Sequence, residues 1–523
     1  MSQPVDLYLE NGVIYTLDAN HPRVSAIAIH DGKILALGHS EELQSYKKSA
    51  VSVIDLKGQT VLPGFTDTHA HLMDTAQNLA TLDLSHAKSL EDCVSKLKKA
   101  ATHNKKESGW IIAHGFDETR IKEKKSLTHR ELDAASPDKP IAVFRIDLHS
   151  CILNQTGLTQ LGLDKNTEGI EKDSKGEPTG ILRGKANSMA YDLIIQSIGD
   201  AQKKEGLEKA CQSAIEHGIT SIHCLEGGSE VSEHNLELLK SCQETLPLRT
   251  VIYHQTTEVQ KVVKEGYKSI GGCILLDGSI GSRTAAVSQP YFDDPASKEN
   301  TGILYFTDAE LNEFVEEAHR AGLQIAMHAI GDRAIGQLLD TYERVLDKYP
   351  RMGHRHRIEH FELCTPGQIQ KAARLKVILA MQPAFDYYWG GHDHMYHSRL
   401  GLGRSLNSNP FRKILDAGCM IAGGSDSDVT PLDPMLGIYS ALNHSNPRER
   451  MTIEEAIRIY TANAAYAAFE EKERGSLEAG KLADLTVLAQ DPFKARPDDL
   501  KDSPVTMTIC RGKIVYQKAA AAQ

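Results

Sequence analysis

The chain predicts an α/β fold in which short parallel strands alternate with amphipathic helices and close into a (β/α)8 barrel. Eight apolar strand segments separated by helical stretches lie between residues 64 and 426, the pattern of repeated β/α units. Hairpin-like β sequence is confined to the two ends of the chain. Histidine and aspartate recur at the ends of several internal strands, where a barrel of this kind keeps its chemistry.

Residues 1–62 read as short strands with Gly-containing turns: VDLYLENGVIYTL, VSAIAIHDGKILALG and VSVIDLKGQTVLPG alternate apolar positions around ENG and DGK. Residues 473–523 return to that style in KLADLTVLAQDP and VTMTICRGKIVYQ, so both ends are expected to meet in one small sheet assembly. Between them, 63–472 forms the barrel. Its predicted strands are 64–71, 219–225, 249–254, 273–278, 323–329, 356–361, 377–383 and 420–426. The interval of about 73–215 far exceeds one helical crossover and predicts an inserted α+β subdomain, with WIIAHGFDE and IAVFRIDLHS as its strands.

Composition narrows the function. Of 523 residues, 41% are hydrophobic and 25% charged, ordinary for a globular protein. A net charge of −11 and the lack of a basic stripe argue against nucleic acid as partner. Nine scattered cysteines without a Cys-x-x-Cys pair point to a reducing compartment. The N-terminus lacks a basic-then-apolar leader, and no run reaches the ~18 apolar residues of a membrane span. The expectation is a cytoplasmic protein, without nucleic acid or membrane partners, acting on a small molecule and pairing as a homodimer.

The segment TDTHAHL (66–72) carries Asp67, His69 and His71 two apart, hence on one strand face. Further strand ends carry His328 (IAMHAIGD), His360 (RIEHFE) and Asp426 (GGSDSD). One strand-end histidine is more often a satisfied structural residue; four with an aspartate form a donor set suited to zinc or a similar divalent ion. Such an ion makes water a usable nucleophile near neutral pH. Asp426 is then placed to carry its proton to a leaving amine, and His360 either to ligate the metal or to polarise a carbonyl.

The stretches VLPGFTDTHAHL, MHAIGD, RIEHFE, AGGSDSDVTPLDP and GSLEAGKLADLTVL resemble the amidohydrolase superfamily. DGSIGSRTAAV (277–287) and GEPTGIL (176–182) are similar to its amidohydrolase 3 branch, which includes enzymes like N-substituted formamide deformylase. The resemblance spans nearly the whole chain. It implies a metal-dependent hydrolase with a distorted (β/α)8 TIM barrel and a β-sandwich from both termini. It gives His69 and His71 the first-strand ligand roles, His328 and His360 the fifth- and sixth-strand roles, and Asp426 the eighth-strand role. Many two-metal members place a carboxylated lysine on the fourth strand, where this chain has Cys273. No carbamate forms on a thiol. The alternatives are therefore one ion without Cys273, a thiolate that ligates directly, or a buried core thiol.

The implied reaction is hydrolysis of a non-peptide C–N bond, an amide or formamide, on one or two divalent ions, zinc first. Deamination of a heterocycle on the same site is the alternative within catalysis, and a non-catalytic binding protein on this scaffold the alternative outside it. Weaker signals remain. Arg283 offers a fork of donors to a substrate carboxylate or carbonyl, or ties neighbouring loops. His149 and Asn154 belong to the insertion and are candidate substrate contacts. In the loop 385–399, Tyr387, Tyr388 and Trp389 either line an apolar pocket or pack on one another, and His392 and His394 read as rim residues. His223 and Glu226, at the end of the second strand, are spare candidates for a ligand or supporting role.

Overall fold

The computed structural model describes residues 4–103, 109–163, 166–293 and 299–519. Eight parallel strands form the central sheet: β1 (Phe65–Ala70), β2 (Ile219–Glu226), β3 (Arg249–His254), β4 (Ser269–Leu275), β5 (Gln324–Ala329), β6 (Arg357–His360), β7 (Ile378–Met381) and β8 (Met420–Gly423). Each pairs with the next in sequence order. Residues of β1, β2, β5, β6 and β7 are buried throughout, as required of strands covered on both faces.

The barrel closes just past the end of β8. The Asp426 N–H donates to His69 O (2.7 Å), and the His71 N–H donates to Ser427 O (2.6 Å). The Asp67 carboxylate secures the same seam by accepting the N–H groups of His69 (3.1 Å) and Ser425 (3.0 Å). Burial raises its pKa to about 6 against these hydrogen bonds. Asp67 therefore holds backbone and does not join the two imidazoles that follow it.

Strand β4 starts at Ser269, four residues ahead of the position its apolar pattern suggests. Gly271 and Gly272 interrupt that pattern, with φ of +92° and +106°. A Cβ on Gly271 would meet the Ala326 carbonyl oxygen at 2.0 Å, so the bulge here needs glycine. Cys273 consequently lies inside the strand.

Beside the barrel, Val5–Glu10, Ala26–His30, Lys33–Gly38 and Ala50–Asp55 form a four-stranded sheet. A six-stranded sheet joins both chain ends: Thr60–Pro63 pairs with Val13–Tyr15 on one side and Leu485–Leu488 on the other. Leu7, Leu9 and Ile27 of the first sheet share one buried cluster with Val61, Val487 and Ile509 of the second, so the two stack as layers. A further six-stranded sheet occupies the chain from Leu82 to Arg183. Within it, Asn154 accepts from Ile141 and Gly157 N–H groups and donates to the Ser136 and Lys139 carbonyls. With every polar atom engaged, Asn154 is a structural residue and not the substrate contact expected from sequence. No helix among the described residues is long and apolar enough to cross a membrane.

Three histidines meet at the N-terminal ends of β5 and β6, opposite the C-terminal mouth. His319 Nε2 donates to Tyr349 O (2.8 Å), which leaves its Nδ1 to accept from His356 Nε2 (2.9 Å). His356 Nδ1 accepts the Ile325 N–H (3.0 Å); His354 Nδ1 accepts the His356 N–H (3.0 Å) and its Nε2 donates to Leu375 O (2.9 Å). Each nitrogen has a partner only while all three rings are neutral. Burial pushes the His354 pKa down to about 4 and that of His356 well below its ordinary value. The unfolded chain takes up these protons near pH 6.5 and the folded chain does not, so stability present above pH 6.5 is lost as pH falls toward 4. The melting temperature of wild type should therefore drop more between pH 7 and pH 5 than that of His354→Gln. Equal drops in the two proteins would contradict this account.

Candidate metal centre

Four strand ends and one closing loop bring six side chains together at the C-terminal mouth of the barrel. β1 delivers His69 and, one residue past its end, His71; β4 delivers Cys273, β5 His328, β6 His360, and the loop after β8 Asp426. Asp426 Oδ1 lies 3.1 Å from His69 Nε2 and 3.3 Å from His71 Nε2. Cys273 Sγ lies 3.5 Å from His328 Nδ1 and 3.9 Å from His360 Nε2. Three triads have ligand atoms within 4.8 Å of one another: His69/His71/Cys273, Cys273/His328/His360 and His69/His360/Asp426. The thiol belongs to two of them.

The outward nitrogen of every ring is fixed. His69 Nδ1 donates to Glu359 Oε2 (2.7 Å), His71 Nδ1 to Leu225 O (3.1 Å) and His360 Nδ1 to Gln382 Oε1 (2.8 Å). His328 is turned the other way, with Nε2 on Gly278 O and Asp277 Oδ1, both 3.3 Å. Carbonyl and carboxylate oxygens only accept, so the remaining nitrogens are turned to the centre, as in ligating histidines whose second nitrogen is anchored. His69 Nε2 is buried without a hydrogen-bond partner. A polar atom left without a hydrogen bond is costly to bury, and a bound cation removes that cost. Imidazole, thiolate and carboxylate donors fit zinc or a related divalent ion.

Electrostatics agree with that fit. Burial alone would raise the Cys273 thiol, yet His328, His360 and His69 hold it well below its ordinary value. Burial opposes protonation of His328, and Cys273 with Asp277 overcomes it, raising the ring to about 10. Asp426 stays ionised against its burial because His69 and His71 face it. The centre thus gathers positive charge around a thiolate and a carboxylate. A divalent ion would replace the ring protons.

Beneath the centre, inside the barrel, Arg357 donates to Glu359 Oε1 (2.9 Å) and Oε2 (2.7 Å), to Thr68 O (2.8 Å) and to His223 Nδ1 (3.1 Å). His223 is therefore an acceptor for arginine, with its pKa lowered by burial and by that cation, and takes no ligand role. Glu226 accepts the Met73 N–H (2.9 Å) at the start of the helix Leu72–Leu79. Arg357 and Glu359 escaped sequence reasoning. Their signal was two opposite charges two apart in the barrel strand RIEH, where both must point into the core.

A cavity of about 800 Å³ opens above the donors, and His71, Cys273, His328, His360 and Asp426 line its floor. Trp389 and His149 line its walls, and the Trp389 indole N–H donates to Asp117 (3.3 Å). Arg283 does not reach it. Its guanidinium forks onto Asp293 (3.0 and 3.1 Å), so of the two roles read from the sequence the structure shows the tie between loops and not the substrate contact. Tyr387 packs on Tyr439 and accepts from Lys501, Tyr388 faces Arg120, and His392 and His394 are exposed; none of these four lines the cavity.

Comparison with known proteins places this architecture. The amidohydrolase family profile matches residues 52–516. YtcJ from Bacillus subtilis is 31% identical over 97% of this chain and 99% of its own length. N-substituted formamide deformylase from Arthrobacter pascens is 25% identical, with both chains covered in full (100%). The crystal structure of an uncharacterized metal-dependent hydrolase from Pyrococcus horikoshii superposes with a TM-score of 0.75 at 27% identity, covering 94% of this chain and 99% of that one. From the sandwich strand at residue 52 to the last strand at 516, the chain belongs to the amidohydrolase family of metal-dependent hydrolases.

Proposed function

We propose that this hydrolase cleaves a non-peptide C–N bond, an amide or formamide, in a small molecule, with zinc held by His69, His71, His328, His360, Cys273 and Asp426. The observation that carries this reading is the inward orientation of four imidazole nitrogens around one thiol and one carboxylate. The similarity to an N-substituted formamide deformylase supports the bond class. Bound divalent zinc supplies Lewis-acid activation of water near neutral pH.

The side chains divide the remaining work. Asp426 is ionised and lines the cavity floor, so it can accept the proton of the attacking water and return it to the departing nitrogen. Trp389, Phe385 and Tyr396 give the cavity an apolar wall, suited to the substituent on that nitrogen and to excluding bulk water. Cys273 Sγ takes part in both the His69/His71 and the His328/His360 groups, which favours a ligand over a core thiol; were two ions bound, this sulfur would help hold both.

Zinc-loaded enzyme offered N-substituted formamides and simple amides should release the acid and the amine; aminated heterocycles in parallel, with ammonia as readout, test deamination. Ammonia release without amide cleavage would overturn the proposed bond class. Elemental analysis should find fewer ions per chain in Cys273→Ala than in wild type, whereas unchanged stoichiometry would remove the thiolate from the centre. Asp426→Asn should lower kcat by roughly 10²- to 10⁴-fold. A loss under threefold would rule out its role as proton carrier.

A further inference from the structure

The insertion approaches the metal centre through one strained turn. After the strand Ile141–Arg145 the chain reverses at Leu148, whose φ is +55°, a left-handed conformation that persists in a branched residue only where surroundings over-determine it. They do so here. The Leu148 N–H donates to Arg145 O (2.9 Å), and Leu148 O accepts from Asn187 Nδ2 (2.8 Å). Asp147 accepts from the His149 N–H (3.2 Å), Arg145 (2.6 Å), Ser279 Oγ (2.6 Å) and Ser282 Oγ (3.1 Å). The two serines follow β4, so this carboxylate pins the insertion to a barrel loop. Burial opposes its charge, and Arg145 with its other partners overcomes that to hold the pKa at about 2.

What this turn presents is His149. Its ring centroid lies 6.0 Å from that of His328, and it lines the cavity over the donor atoms. Its backbone N–H is engaged by Asp147, its ring faces that of His328, and neither ring nitrogen makes a hydrogen bond among the described residues. Two arginines on neighbouring segments are already committed. Arg145 is divided between Glu118 and Asp147, and Arg283 is on Asp293. The backbone that carries this imidazole is fixed, and its ring opens on the cavity beside the candidate centre, where a group that arrives with substrate can meet it.

We infer that His149 is a catalytic residue: its ring N–H donates to the carbonyl oxygen of the bound amide and to the oxyanion that forms there. The inference rests on the hydrolytic reading above. Water oxygen bonds to the carbonyl carbon and the C=O π pair moves onto oxygen, where the His149 N–H meets it without transferring its proton. When that pair returns, the C–N bond breaks, and nitrogen leaves with the proton carried from water. Acid and amine are the products, and no further reactant is needed.

Three zinc-loaded proteins test this: wild type, His149→Ala, and His149→Gln, which keeps an N–H donor. His149→Ala should lose roughly 10²- to 10³-fold in kcat, with KM within threefold and metal content unchanged. His149→Gln should recover about tenfold of that loss. By calorimetry, an N-substituted methylphosphonamidate monoanion standing in for the tetrahedral anion should bind His149→Ala about 100-fold more weakly than wild type. A kcat within threefold of wild type at equal metal content would overturn the inference, and so would a fall in kcat that tracks loss of metal. A wild type that cleaves no amide would overturn the functional reading itself and this step with it, whereas normal wild-type turnover beside an unaffected His149→Ala would remove this step alone.

Discussion

Glu359 is fully buried and divides its two oxygens between the His69 ring and the guanidinium of Arg357. A carboxylate in such a place is tolerable only as part of a complete pair, and completeness here has a consequence for the site above. With Arg357 anchored to Thr68 O and stacked over Tyr253, Glu359 has one geometry, and His69 Nδ1 has one acceptor. Its Nε2 must then point to the barrel mouth. The same logic repeats outward: Leu225 O, Gln382 and Gly278 O with Asp277 set the other three rings. The orientation of the candidate donors is thus a product of barrel-interior hydrogen bonding as much as of the donors themselves.

The donors were legible in the sequence because a parallel barrel puts strand ends on one rim, so that His69, His71, His328, His360 and Asp426, dispersed along the chain, share an address. Cys273 was legible only through the departure from a lysine. Its place inside β4 was hidden by Gly271 and Gly272, whose bulge breaks the apolar pattern used to find strands. Side-chain partners set by long-range packing were not legible. Arg283 looked free until the loop bearing Asp293 folded beside it, and Asn154 looked available until four backbone groups claimed it. Asp67 shares a strand face with His69, yet the seam between β1 and β8 takes its oxygen for backbone N–H groups.

Barrel and insertion contribute different things to one cavity. The barrel supplies the ion-binding donors, fixed by ladders and buried pairs. The insertion supplies wall and reach, through His149, Tyr191 and Arg145, and is fastened to the barrel where Asp147 meets Ser279 and Ser282. This division leaves the barrel to fix the donors and the covering segment to shape what can approach them.

The most direct test of the central claim is anomalous diffraction at the zinc edge from crystals of zinc-loaded protein. The account predicts density bounded by His69, His71, His328, His360, Cys273 and Asp426, in contact with their inward nitrogens, sulfur and carboxylate. Zinc-loaded crystals without an anomalous peak among these six side chains would contradict it.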